Sequence, residues 1–281
     1  MTATRSRMMF AGVILVVSAL GSAESQIKPK LPPADLVKAV IRGELQAPDV
    51  SETRWKYLLS KEVDGKQEIR EVVETKSGSL DRLLATAGRP LTDAQQRDET
   101  ARILRISHSP EAQRKLEQTH RKDVAQCYAF FQMIPDAFLF DYAAESGGLA
   151  KLNFKPNPDF QPSSREGKVL HEMAGDIWVD AKQQRLVSIN GQLTNEVKFG
   201  GGLLGHLEKG GEVRVKRTEI APGHWEVREI VVNMRGKALL FKTISLQQKE
   251  LHSNFQPVPD DLSLSDAAGL LLQQALVAAK R

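Results

Sequence analysis

At 281 residues the chain has room for one large domain or two small ones. Hydrophobic residues make up 41% of it and charged residues 26%, with 13 prolines, which excludes the disordered, collagen-like and low-complexity classes. Thirty-nine basic against 35 acidic side chains leave +4, spread along the sequence and not gathered into one run, so nucleic acid is not expected as a partner.

The first residues set the compartment. Arg5 and Arg7 precede the apolar run Met8 to Leu20, and Gly21 and Ala23 stand at the minus-three and minus-one positions of a cleavage site before Glu24. Residues 1–23 therefore read as a secretory signal peptide, too short in its apolar part to span a bilayer. Its removal takes away two arginines and no acid, lowering the net charge from +4 to +2. With Glu24 and not a cysteine directly at the cleavage site, a lipid anchor is not expected, and with no later spanning run the expected product is a soluble, exported, periplasmic protein open to peripheral membrane contact. Cys127 is the single cysteine, so no intramolecular disulfide forms, and its apolar neighbours point to a buried, inert thiol.

Residues 24–33, with Pro29, Pro32 and Pro33, form an extended leader. Leu36, Val37, Val40, Ile41 and Leu45 then recur at helical spacing and predict an amphipathic helix over 34–45. Trp55, Tyr57 and Leu59 alternate, Asp64-Gly65 supplies a turn, and Ile69, Val72 and Val73 continue as the second arm of a hairpin. A third strand runs from Leu80 to Thr86. Thr92 with Gln95 forms a capping box and Ser109-Pro110 marks a second start, predicting helices over 93–107 and 110–133, ended by Pro135. This helical insertion at about 93–134 is polar over 111–123 and is a candidate lid.

From Ala137 to about Lys249 the pattern is antiparallel β throughout, with 169–173 read as a strand and a bulge placed between Val227 and Ile230. Ser263 or Ser265 caps a final helix to Lys280. The fold class is thus mainly β with helices (α+β). One strongly curved antiparallel sheet or half-open barrel of about ten strands is capped by the N-terminal helix. The expected divisions are a domain over 34–262, with the insertion inside it, and a C-terminal helix over 263–281.

No enzyme motif survives its context. Gly200 to Gly205 fits G-x-G-x-x-G, but His206 and Leu207 follow where a phosphate loop needs Lys and Ser/Thr, and the segment leads into a strand rather than opening a helix. It is a glycine-rich connection whose Leu203 and Leu204 make a mobile tip. His171-Glu172 lacks the second histidine of a zinc protease, the six histidines have no ligand spacing, and G-x-S-x-G is absent. No catalytic residue, metal or cofactor is expected. A curved sheet does offer a concave face, and Trp55, Tyr57, Phe138, Phe140, Trp178 and Trp225 are the candidate lining of an apolar cavity there, with ordinary core packing as the competing role of each.

Asp35 to Leu45, Trp55 to Val73, and the pattern Gly175-Asp176-Ile177-Trp178-Val179-Asp180 followed by Arg185-Leu186-Val187 resemble the periplasmic lipoprotein-carrier superfamily. Phe154 to Pro158, Phe199 to Gly205, Gly236 to Thr243 and Phe255 to Pro259 also look like a group of uncharacterised exported bacterial proteins. The resemblance implies a half-open barrel that shields a lipid or lipoprotein acyl group in an apolar cavity and releases it when helices move. It implies no catalytic residue. The polar insertion at 93–133 is longer than such a carrier needs, and no residue here takes the place of a carrier's cavity arginine. The rival reading is an envelope-sensing protein-interaction domain without a small ligand, with the 93–133 helices on the partner. A hydrolase assembled from distant residues ranks below both.

Overall fold

The computed structural model describes residues 31–50, 53–238 and 242–278. Residues 1–23, read from the sequence as a signal peptide, and residues 279–281 lie outside them. Thirteen strands and five helices follow in chain order: α1 (Pro33–Val50), β1 (Arg54–Val63), β2 (Lys66–Thr75), β3 (Gly78–Thr86), β4 (Arg89–Pro90), α2 (Asp93–His108), α3 (Pro110–Ala137), β5 (Phe138–Ser146), β6 (Leu149–Pro156), α4 (Arg165–His171), β7 (Met173–Asp180), β8 (Arg185–Leu193), β9 (Val197–Phe199), β10 (Gly205–Leu207), β11 (Glu212–Ala221), β12 (His224–Ala238), β13 (Lys242–Val258) and α5 (Leu264–Ala278). All strands belong to one open antiparallel sheet in the order β4-β3-β2-β1-β13-β12-β11-β8-β7-β6-β5, with β10 paired to β12 and β9 to β10. The α+β class, the N-terminal helix and the C-terminal helix are as the sequence implies; the sheet has 13 strands instead of about ten because β4, β9 and β10 are only two or three residues long.

Two cores fix the helices to it. Leu36, Val37, Val40 and Ile41 of α1 are buried against Phe138, Leu152, Ile177, Val179 and Leu186 of β5 to β8, with Ile134 and Ala137 from the end of α3. Each of the larger of these side chains contributes about 1.5–3 kcal/mol by leaving water. The second core joins Val73 and Leu80 of β2 and β3 to Ile103 of α2 and Ala267, Ala268 and Leu271 of α5. α5 is capped by Ser263, whose hydroxyl accepts from the Asp266 N–H at 3.1 Å. α3 runs between the cores, with Leu116 at the second and Phe130 and Phe131 at the first.

The insertion is more than a detached lid. β3 presents an edge, and the Glu99 carboxylate of α2 accepts the Leu83 N–H at 2.7 Å while Arg102 donates to the Asp81 carbonyl at 2.5 Å, so α2 occupies backbone groups that an edge otherwise leaves open. The capping box is present, Thr92 N–H to Gln95 at 2.9 Å and Gln95 N–H to Thr92 at 3.3 Å.

Four local expectations need correction or refinement. Pro135 does not end α3, which continues to Ala137; in the last turn a missing backbone donor costs a single bond. Residues 165–171 are helix α4 and not strand, because Ser164 caps them through the Gly167 N–H at 3.0 Å and Leu170 seats the turn in the first core. Cys127 is exposed, although it lies three and four positions before the core-packed Phe130 and Phe131 of α3; partial desolvation of its thiol raises its pKa, which keeps it a poor nucleophile. The bulge on β12 falls at Arg228, between the pairs Lys216–Glu229 and Arg217–Val227.

Candidate functional site

Cross-strand register carries the α1 face of the sheet through its centre: Ile189 of β8 opposes Val215 of β11, which opposes Ile230 of β12, then Glu250 of β13 and Lys61 of β1. Alternation along β1 places Leu59, Tyr57 and Trp55 on that same face. There the rings gather. Trp55 packs edge-on against His224 at 5.6 Å and Phe255 at 6.4 Å, and Tyr57 stacks on His252 at 5.1 Å with Phe255 at 5.2 Å. A bulge in β13 at Asn254, which takes a positive φ of 56°, inserts the extra residue that swings Phe255 to this side.

Ionisable groups border the rings. Burial, with the neighbouring Glu74, pushes the Glu226 carboxyl up to about 7 against the pull of Arg217, His252 and Arg185. Burial also raises Glu74, although its carboxylate accepts the Trp55 N–H at 2.9 Å. Tyr57 is displaced upward by burial and by these two acids. Glu250 behaves oppositely: the His252 imidazole at 3.6 Å and the Lys61 ammonium at 2.8 Å hold it at about 2. Glu226, Tyr57, His252 and Phe255 all keep partial exposure, so the cluster is a half-buried aromatic recess bordered by ionisable groups.

At its edge α1 reaches the sheet through one carboxylate. Glu44 accepts from the Leu186 N–H at 2.8 Å and pairs with Arg185 at 3.2 Å and with Arg217, whose other nitrogen donates to the Trp225 carbonyl at 2.5 Å. Burial lowers the pKa of Arg185, and its Nε has no hydrogen-bond partner among the described residues.

The six aromatic residues singled out from the sequence divide between four places. Trp55 and Tyr57 meet in the recess. Phe138 and Phe140 pack with Phe154 inside the first core, ring centroids 4.5 and 6.4 Å from it. Trp178 lies between the buried Ile177 and Val179 and so faces the other side of the sheet, under the Lys151 ammonium at 5.8 Å. Trp225 is buried by itself near the β7–β8 turn, its indole N–H donating to Gln183 at 3.1 Å. Leu203 and Leu204 are exposed at the turn between β9 and β10. The residues missed from sequence are Glu44, Glu74, Arg185, Arg217, Glu226, His252 and Phe255. Glu44 had a visible signal: it sits three and four positions beyond Ile41 and Val40, on the apolar stripe of α1. Among the described residues no group of three or more His, Cys, Asp or Glu is arranged to hold a metal ion.

No protein-family model matches the chain, and no curated protein does. Among solved structures, the crystal structure of a DUF1329 family protein from Desulfovibrio piger is similar to it, with 13% sequence identity over 85% of this chain and 99% of that one and a TM-score of 0.25. That TM-score does not establish a shared fold. Among the described residues no helix is long and apolar enough to cross a membrane.

Proposed function

We propose that this chain is an exported binding protein that shields the acyl part of a lipid or lipoprotein against the recess formed by Trp55, Tyr57 and Phe255. The observation that carries this is the recess itself: aromatic rings on the centre of one sheet face, in surroundings dry enough to push Glu226 up to about 7. An acyl chain laid on these rings gains roughly 25 cal/mol for each Å² it removes from water. α1 packs on the same face as the rings, whereas α5 packs on the opposite face through Val73, the cross-strand partner of Lys56; a carrier of the kind the resemblance implies takes up its ligand by movement of α1. The polar rim of Glu74, Glu226 and Arg217 gives the bound molecule an end that faces water, so an amphiphile fits better than a wholly apolar ligand.

The three tryptophans make this testable by contact quenching. With Trp178→Phe and Trp225→Phe, Trp55 is the sole emitter, and a brominated fatty acid is expected to quench it as the ligand binds. With Trp55→Phe and Trp225→Phe, the remaining Trp178 faces the other side and is expected to stay bright. Absence of quenching in the Trp55 form, or equal quenching in both, would overturn the proposal; circular dichroism checks that each variant is folded.

A further inference from the structure

The hairpin β9–β10 ends in an apolar tip left exposed among the described residues. Leu203 is 83% exposed and Leu204 50%, at the turn of a two-stranded arm attached to β12. Gly200, Gly201 and Gly202 all take positive φ, of 58°, 66° and 94°, a run that side chains with a Cβ resist, so the sequence is committed to presenting this turn. Gly236 matters equally: a Cβ there would stand 2.1 Å from the His206 carbonyl, so glycine is what lets β10 pair onto β12, with Val197, Phe199 and Leu207 of the arm packed on the first core.

Charge is ordered behind the tip. Lys198 of β9 opposes His206 of β10, which opposes Lys237 of β12, so three basic side chains share one row and one face. Lys198 and His206 each lie two residues from the turn, roughly 7 Å by the rise of a strand. The acids Glu196 and Glu208 come only further down the arm, where Glu196 approaches His206 at 3.3 Å and Lys198 at 3.6 Å.

We propose that this arm docks the protein on an anionic phospholipid surface, Leu203 and Leu204 entering the acyl boundary and Lys198, His206 and Lys237 meeting the phosphates. Apolar groups of interfacial proteins sit about 5–10 Å into the headgroup and acyl boundary, which matches the roughly 7 Å between the turn and Lys198. Basic side chains at the surface of an anionic leaflet add an attraction that decays within a Debye length. This site is separate from the Trp55 recess and does not depend on the recess binding an acyl chain.

The test is flotation of the exported protein with vesicles of phosphatidylcholine alone and of phosphatidylcholine mixed with phosphatidylglycerol. The wild type is expected to float with the mixed vesicles and to lose binding as salt is raised. Leu203→Ser with Leu204→Ser is expected to lower the partition at least about tenfold on the mixed vesicles. Lys198→Glu with Lys237→Glu is expected to lower it comparably there while leaving the weak binding to phosphatidylcholine unchanged. All these side chains are exposed or half-buried, so unchanged thermal unfolding accompanies both variants. Failure of the wild type to float, equal binding to the two compositions, or binding that survives the leucine variant, as an uncleaved apolar run at 8–20 would produce, overturns the proposal.

Discussion

Replacing Glu44 by alanine is expected to cost about 3–5 kcal/mol of folding stability, the loss typical of removing one partner from a buried ion pair. The Glu44 side chain is 5% exposed and those of Arg217 and Arg185 are 14% and 16% exposed, so the carboxylate is the anion that compensates two desolvated guanidiniums. Alanine leaves them facing each other with little water, and it strips the Leu186 N–H of its acceptor at 2.8 Å. Glu44→Gln keeps an acceptor for that N–H while losing the charge, and is expected to fall between wild type and alanine. The triple variant Glu44→Leu, Arg185→Met, Arg217→Met removes all three charges and is expected to recover most of the loss, because a buried ion-pair network contributes little net stability over apolar groups of similar volume. Urea unfolding of the four proteins measures this. A loss below about 1 kcal/mol for alanine would mean that water solvates the arginines and that α1 is held by its apolar stripe alone.

Much of this architecture is legible in the sequence because it rests on short-range rules. The stripe Leu36, Val37, Val40, Ile41, the turn Asp64-Gly65, the capping box of Thr92 and Gln95 and the parity shift near Arg228 each express a period or a cap contained within a dozen residues. Each of these features stands in the structure. The recess was only half legible. Trp55 and Tyr57 announce themselves by alternation, but Phe255 reaches them through a bulge at Asn254, some 200 residues away in the chain. The acids and arginines were illegible for a different reason. Glu74, Glu226, Arg185 and Arg217 sit in strands full of other charged residues, and only the pairing of β1 with β13 and the descent of α1 onto β8 separate the desolvated ones from the solvated ones. Trp178 shows the converse: its strand is apolar on one side only, so parity alone assigns it to the other face, and treating every aromatic residue as lining one cavity overlooks that rule.

Stability is expected to fall as pH rises from about 4.5 to about 7, with Glu226 as the principal cause. In the unfolded chain this carboxyl loses its proton near 4.5, whereas in the folded protein it holds it to about 7. Between those values the native state binds more protons than the unfolded state, so each step up in pH favours unfolding. The full shift corresponds to an upper limit of about 3 kcal/mol, and residual exposure reduces it to about 1–2 kcal/mol. Glu74 acts in the same direction, being raised by burial too. Glu250, held at about 2 beside His252 and Lys61, acts in the opposite one: its contribution is present above 4.5 and is lost as pH falls toward 2. Together they set a stability maximum in mildly acidic solution. Glu226→Gln cannot ionise and leaves Glu74 without its repulsive neighbour. It is therefore expected to flatten the profile between pH 5 and 8 and to unfold at higher urea than wild type at pH 8, with little difference at pH 4.5. The comparison needs only urea midpoints of the two proteins across that range. Equal wild-type midpoints at pH 5 and 8 would show that Glu226 is solvated, and with it that the recess is too wet to hold an acyl chain.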